Sequence, residues 1–148
     1  MNDQSLKVFV DCVANYFNTV SSHPAKIGAP FLIQNVNEYL NDYTGIIGIS
    51  GNQKGSVFFS CSQRALVLLL SELGVLQSNE ERLMDLVGEV CNTVAGNARR
   101  EFGDQFMLTV PVVIKGEAEK VKVAAVTKIY VIPVLWRKMK ANLIINFE

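Results

Sequence analysis

The stretch Asp85-Leu-Val-Gly-Glu-Val-Cys-Asn-Thr-Val94 decides the fold, because the chain carries a second version of it. The earlier version is Asp11-Cys-Val-Ala-Asn-Tyr-Phe-Asn-Thr-Val20, and the two are identical at five of ten positions. Both have apolar residues at three- and four-residue steps, which is the pattern of an amphipathic helix. The sequence therefore predicts two related helices, the alternative being a chance likeness between two amphipathic helices.

The similarity continues after each helix. A proline opens a short apolar run in both places, at Pro30 and at Pro111, and a hairpin pattern follows each run. We therefore predict a single domain over residues 1–148 with an internal pseudo-repeat of about residues 5–60 and 79–147. The copies differ at a polar position, because Glu89 in the second corresponds to Asn15 in the first.

Hydrophobic periodicity and helix-ending residues predict an α/β chain of the α+β kind. The predicted helices are 3–21, 63–73 and about 79–102. The predicted strands are 31–36, 45–50, 56–60, 106–114, 121 to about 126, 129–135 and 141–147, with 121–135 as one bent strand in the alternative. A turn is expected at 137–140. Pro133 indicates an edge or a bulge. The expected architecture is about three helices on a mixed, largely antiparallel sheet of about six strands.

The composition excludes several classes of protein. The chain has 148 residues, of which 49% are hydrophobic and 19% charged, so it can bury a core and is not disordered. Its 14 basic and 14 acidic residues cancel, which argues against a general nucleic-acid binder and favours self-association. No apolar run reaches the roughly 18 residues of a membrane span, and the N-terminus lacks a secretory signal pattern. We expect a cytoplasmic protein that binds neither nucleic acid nor a membrane.

Metal and nucleophile chemistry is not expected. The three cysteines, Cys12, Cys61 and Cys91, are far apart on apolar segments and are predicted to be reduced core thiols. His23 is the only histidine, so neither a zinc site nor a Ser–His–Asp triad is predicted. Trp136 stands among basic residues, and we interpret it as packing beside a turn rather than as a nucleic-acid contact.

One polar stripe on the third predicted helix could carry chemistry. At about 100° per residue, Asp85, Glu89, Asn92 and Gly96 gather opposite the apolar side. A glycine inside a helix costs about 1 kcal/mol relative to alanine, so Gly96 indicates that something comes close. An amide can direct a water and a carboxylate can pair with a partner's lysine, which suits hydrolysis of a bond activated elsewhere. A solvated polar face is the alternative.

Residues 87–98 resemble the signature helix of the CheC/CheX/FliY family of chemotaxis proteins, most closely its CheX type. The family pattern is Asp or Ser, three residues, Glu, two residues, Asn and a downstream Pro, here Asp85, Glu89, Asn92 and Pro111. Segments 44–57 and 109–116 are similar to the family's first hairpin and to the strand after its signature helix. The resemblance covers roughly residues 5–147.

The resemblance implies a CheC/CheX-like pseudo-symmetric fold and a phosphatase acting on the aspartyl phosphate of a CheY-like response regulator. It implies that Asn92 orients the attacking water, that Glu89 pairs with the regulator's active-site lysine, and that Asp85 and Gly96 help to bind the regulator. It further implies a homodimer without a cofactor of its own, with Mg²⁺ supplied by the regulator, and one working site, since Asn15 replaces the glutamate in the first helix.

Two other functions remain possible from the sequence. The first is a non-catalytic CheX-like module that binds a regulator or serves as a dimeric scaffold. Intact Glu89 and Asn92 favour the enzyme over this module, because a scaffold would not need both. The second is a small-molecule-binding domain, for which the sequence offers no other polar cluster.

Overall fold

Capping residues set both ends of the longest helix. The computed structural model describes residues 3–116 and 127–148, and its helices are α1 (Asp3–Val20), α2 (Gln63–Glu72) and α3 (Glu80–Phe102). Asn79 Oδ1 accepts a hydrogen bond from Arg82 N at 2.9 Å, which satisfies an amide that the start of α3 leaves free. Gly103, at φ +94°, ends α3 in a backbone conformation that residues other than glycine rarely adopt. The three predicted helices are confirmed.

The described strands form one sheet, and each of their ladders is antiparallel. They are β1 (Lys26–Ile27), β2 (Phe31–Ile33), β3 (Tyr43–Gly51), β4 (Gly55–Cys61), β5 (Phe106–Leu108), β6 (Val112–Lys115), β7 (Lys128–Trp136) and β8 (Met139–Phe147). Their order is β1-β7-β8-β4-β3-β5, with β2 also on β7 and β6 also on β3. The expected number of about six strands was low, because two short strands make up each edge. The predicted strand at 121 to about 126 lies outside the described residues.

The edge next to α3 is interrupted where one strand, 106–114, was predicted. Residues 109–111 stand opposite only two residues of β3, 47–48, so the edge carries a β-bulge. Thr109 keeps this bulge on β3, because its Oγ1 accepts a hydrogen bond from Gly48 N at 2.8 Å and its own N–H donates to Gly48 O at 3.0 Å. The bulge therefore has a fixed position on the sheet.

The opposite edge also departs from the prediction. The strand expected at 31–36 ends early, because the Asn35 side chain accepts from Asn37 N and starts a 3₁₀ turn, Val36–Tyr39. Pro133 lies in β7, one strand in from this edge, rather than at the edge itself. Its carbonyl accepts a hydrogen bond from Gly28 N at 2.8 Å, in the gap between β1 and β2. Because the N and the carbonyl of a residue point to the same side of an antiparallel strand, the proline lacks an N–H only where the ladder is already interrupted.

All three helices pack on one face of the sheet. The larger hydrophobic core lies between these helices and the sheet, and it includes Val57 and Phe59 of β4. Phe58 points the other way, because successive side chains of a strand alternate, and it belongs to a smaller core that Val36 covers. No helix in the described parts of the chain is both long and apolar enough to cross a bilayer.

A carboxylate ties the ends of two helices to a hairpin. Glu72, at the end of α2, accepts from Ser21 Oγ at 2.9 Å and pairs with His23 Nδ1 at 2.9 Å. Arg137 of the β7–β8 turn lies 3.8 Å away. Burial acts to raise the pKa of Glu72, but hydrogen bonds from His23 and Ser21 and the nearby positive charges outweigh it and lower that pKa.

The cysteines and the tryptophan lie where the sequence placed them. Cys12, Cys61 and Cys91 are free and buried. Trp136 is buried beside the β7–β8 turn, and its Nε1 donates to the carbonyl of His23 at 2.9 Å. The interpretation of Trp136 as a packing residue is therefore confirmed.

Candidate functional site

The four stripe residues lie on the outer side of α3. Asp85, Glu89 and Asn92 are exposed, and Gly96 is half-buried one turn further along. The apolar positions between them face the core, namely Leu83, Leu86, Val87, Val90, Cys91, Val94, Ala95 and Ala98. We call the outer line of Asp85, Glu89, Asn92 and Gly96 the α3 ridge.

The polar groups of the α3 ridge are open to a partner molecule. Among residues 3–116 and 127–148, nothing forms a hydrogen bond or an ion pair with the side chains of Asp85, Glu89 or Asn92. A folded protein usually satisfies the polar groups it uses for its own stability. The three side chains are therefore available for binding.

Two glycines bring α3 directly against the sheet. A Cβ on Gly45 of β3 would stand 2.9 Å from the Val87 carbonyl oxygen and 3.0 Å from Cys91 Cβ. A Cβ on Gly88 of α3 would stand 3.0 Å from a methyl group of Val113. No side-chain layer fits between the helix and the strand here. The sheet therefore fixes the distance of α3 from β3 and the rotation of α3 about its axis, and with them the position of the α3 ridge.

The bulge brings the motif's proline to the base of the α3 ridge. Pro111 Cβ lies 4.0 Å from the position that a Cβ on Gly88 would take, one residue before Glu89. Val110, next to this proline, leaves 82% of its surface exposed. Sequence reasoning marked Pro111 but missed Val110, because the exposure of Val110 depends on a bulge that the local sequence does not predict.

Tyr16 of α1 lies in the electrostatic range of Glu89. Burial raises the pKa of the Tyr16 phenol, and the Glu89 carboxylate raises it further. The phenol therefore keeps its proton at neutral pH. Sequence reasoning did not connect these two residues, because they lie on different helices.

Gly96 differs from the packing glycines of this region. A Cβ on Gly96 would meet no heavy atom within 4 Å, apart from its own neighbourhood along the chain. The fold therefore gives no steric reason for glycine at this position. That observation supports the interpretation that a partner approaches there.

Charge is divided along α3. Glu80 and Glu81 stand in its first turn and Arg99 and Arg100 in its last. This arrangement suits the helix dipole, and the exposed carboxylates of the α3 ridge extend the acidic half towards the middle. The half that carries Glu89 is therefore suited to a cationic group on a partner.

The α3 ridge offers a carboxylate and an amide on one exposed line. In the parts of the chain that the structure describes, no three His, Cys, Asp or Glu side chains are grouped to hold a metal ion. The matching face of α1 exposes Asp11, Asn15 and Asn18, with an amide where α3 has Glu89. Of the three helices that the structure describes, only α3 combines an exposed carboxylate and an exposed amide three residues apart in this motif.

Three helices on one face of an antiparallel sheet, with this motif exposed on the longest helix and its proline alongside, define a CheC/CheX-like chemotaxis fold. Residues 43–135 match the family model described as Chemotaxis phosphatase CheX. This match covers more than half of the chain, and the chain belongs to the CheX family.

Solved structures support the same assignment. Chemotaxis protein CheX from Vibrio vulnificus is 27% identical, with a TM-score of 0.83 over 98% of this chain and 99% of that chain. A chemotactic CheC-like protein from Shewanella oneidensis MR-1 is 27% identical, with a TM-score of 0.84 over 100% of both chains. A chain of the CheX–CheY–BeF3–Mg²⁺ complex from Borrelia burgdorferi shares the fold at 18% identity, with a TM-score of 0.79 over 97% of both chains. No protein with a curated description matches this chain in sequence.

Proposed function

We propose that this chain is a phosphatase that hydrolyses the aspartyl phosphate of a CheY-like response regulator. The observation that carries the proposal is the exposed pair of Glu89 and Asn92 on α3, neither of which is used by the described part of the fold. Membership of the CheX family supports the reaction. The Borrelia burgdorferi complex supports the kind of partner, since a CheX and a CheY are bound together there.

Asn92 would hold the attacking water. Its amide oxygen accepts one hydrogen of the water, and its amide N–H can donate to a phosphoryl oxygen or to the water itself. The water oxygen forms a bond to phosphorus while the bond between phosphorus and the aspartyl oxygen breaks. The products are a free carboxylate and inorganic phosphate. One hydrogen of the water stays on its oxygen, now part of the phosphate, and the other passes to another phosphate oxygen or to solvent. Since the acyl phosphate is already activated, orientation is the main task.

Glu89 would bind the regulator by pairing with the regulator's active-site lysine. A carboxylate and an ammonium that meet in a closing interface lose water, and this strengthens their attraction. The contact would place the phosphoryl group next to Asn92, three residues along the same face. Asp85 adds a second negative charge one turn earlier, and the buried Tyr16 lies within electrostatic range of Glu89. Mg²⁺ would be supplied by the regulator.

We also propose that the chain acts as a cytoplasmic homodimer without binding nucleic acid or membranes. A formal net charge of zero supports self-association, because it leaves little repulsion between copies. Exposed apolar side chains at the sheet edges, such as Leu32 at 60% and Val112 at 60% exposure, support the same idea. Sedimentation analysis across protein concentrations tests it, and a monomer at all concentrations would contradict it.

The test follows phosphate loss from CheY-like regulators phosphorylated with a small-molecule donor. Wild type is expected to accelerate the loss. Asn92→Ala is expected to lower the accelerated rate by about 100-fold, because the water loses its orientation. Glu89→Gln is expected to weaken binding to a beryllofluoride-activated regulator by roughly tenfold or more, because the regulator's lysine loses its charged partner.

Asn18→Ala is the matched control, since Asn18 is the aligned, exposed asparagine of α1. It removes the same chemical group and should keep the wild-type rate. Equal rates for wild type and Asn92→Ala would contradict the catalytic role. A wild type that binds an activated regulator without accelerating phosphate loss would favour the non-catalytic binding module.

A further inference from the structure

A pocket of about 530 Å³ opens beside the C-terminal half of α3. It lies between α3, from Gly96 to Gly103, and the edge strand β5, where Met107 and Leu108 contribute. Gly96 belongs both to this pocket and to the α3 ridge, so the two surfaces are continuous. We call this cavity the Gly96 pocket.

We propose that the Gly96 pocket is a second docking point for the same regulator, and that it receives an acidic side chain together with a neighbouring apolar one. The proposal rests on the proposed function, because it takes the regulator as the partner of the α3 ridge. It extends the contact surface to Arg100 and Met107, which the family motif does not include.

The helical geometry places the pocket in line with the candidate catalytic residues. Steps of three and four residues lead from Asn92 to Gly96 and on to Arg99 and Arg100, so these residues share one side of α3. A rise of about 1.5 Å per residue puts Arg100 about 12 Å from Asn92 along the axis and about 16 Å from Glu89. A regulator surface that covers Glu89 and Asn92 would therefore reach the pocket.

The charge of the pocket favours an acidic group. The lining side chains carry two guanidinium groups, those of Arg99 and Arg100, and one carboxylate, that of Asp104. Arg99 is held in place, because its Nε donates to the Phe106 carbonyl at 2.9 Å. Arg100 is exposed and forms no ion pair with any residue of 3–116 or 127–148. Arg100 is thus the available cation.

The remaining surface of the pocket is adapted to an apolar group. Met107 leaves 52% of its surface exposed, and its flexible side chain can fit several partner shapes. Arginine and methionine are both enriched in protein interfaces. The absence of a side chain at Gly96 leaves room for a group that enters between Met107 and Arg100.

The structure thus predicts a regulator contact of two opposite charges. The acidic half of α3 meets the regulator's lysine, and Arg100 meets a carboxylate about 16 Å from that lysine. Such a pattern fixes the direction in which the regulator lies along α3, since a reversed regulator would face like charges at both ends.

Two substitutions test the pocket by different means. Arg100→Glu reverses the charge, and Gly96→Leu fills the space without meeting any heavy atom within 4 Å of its Cβ. Each is expected to weaken binding to the beryllofluoride-activated regulator by about tenfold, with the loss in KM rather than in kcat. The effect of Arg100→Glu should shrink as salt increases, because the contact is electrostatic. Lys140→Glu, the same charge change at an exposed position of β8, is the control and should bind like wild type.

The outcomes separate this proposal from the proposed function. A wild type that neither binds nor dephosphorylates any candidate regulator overturns both. A wild type that acts on a regulator, with Arg100→Glu and Gly96→Leu binding equally well, overturns the docking point alone. A change in oligomeric state in either variant would assign the pocket to contacts between copies of this chain, which also overturns it.

Discussion

Gly45 and Gly96 should respond in opposite ways to the same added methyl group. Gly96→Ala removes the conformational cost of a helical glycine, and the new Cβ meets nothing within 4 Å. We expect the free energy of unfolding to rise by about 1 kcal/mol. Gly45→Ala drives its Cβ to 2.9 Å from the Val87 carbonyl oxygen, a backbone atom that cannot move alone. We expect that free energy to fall by roughly 1–3 kcal/mol.

Thermal and urea unfolding measure both changes. For a chain of this size, 1 kcal/mol corresponds to a Tm shift of about 2–4 °C. With a urea slope of about 2 kcal/mol per molar, it corresponds to a midpoint shift of about 0.5 M. Protein concentration must be the same for all variants, because a dimer would link stability to concentration. Gly88→Ala is the matched helical control, since its Cβ would stand 3.0 Å from Val113, and it should gain less than Gly96→Ala.

A lower Tm for Gly96→Ala would refute this reasoning. It would show that Gly96 supports the fold itself, and glycine there would no longer need a partner molecule to explain it. A Gly45→Ala protein as stable as wild type would show that α3 can move off β3, and the α3 ridge would then not have a fixed position.

Two further predictions concern Glu72 and the cysteines. Glu72→Gln should lower stability by about 1 kcal/mol near neutral pH, because the hydrogen bonds from Ser21 and His23 lose a charged acceptor. Since folding lowers the pKa of Glu72 from its ordinary 4.5, its contribution is present above that pH and is lost as pH falls through the folded-state pKa. The unfolding curves of wild type and Glu72→Gln should therefore converge as the pH falls. A difference in stability that persists in acid would contradict this role of the Glu72 carboxylate. Burial raises the pKa of Cys12 to about 11 and of Cys91 to about 12, and it also raises that of Cys61. Ellman's reagent at pH 8 should label all three only after unfolding, so rapid labelling of the native protein would show that a thiol is accessible.

The helices could be predicted because their signals are local. Asn79 before α3 and Gly103 after it are a capping residue and a stop, and the apolar positions between them recur every three or four residues. The same periodicity placed Asp85, Glu89 and Asn92 on one exposed line. What these residues do remains a prediction, because exposure shows only that they are accessible.

The sheet edges could not be predicted as well. A two-residue strand such as Lys26–Ile27 is too short to show alternation, and it exists only because β7 lies beside it. The bulge at 109–111 depends on hydrogen bonds between Thr109 and a strand about 60 residues earlier. The Gly96 pocket likewise needs β5 next to the end of α3, which no local pattern reports. The internal repeat and the single-domain organisation stay predictions.

The direct contact between α3 and β3 at Gly45 and Gly88 also bears on the entropy of binding. Because the backbone of the helix is already held in one orientation, an arriving regulator would have to order only side chains such as Glu89, Asn92 and Arg100. Each immobilised side chain costs about 0.5–1.5 kcal/mol, far less than ordering a flexible loop. Under the proposed function, the lifetime of the phosphorylated signal would then depend on how often the two proteins collide in the correct orientation, rather than on a slow rearrangement of this chain.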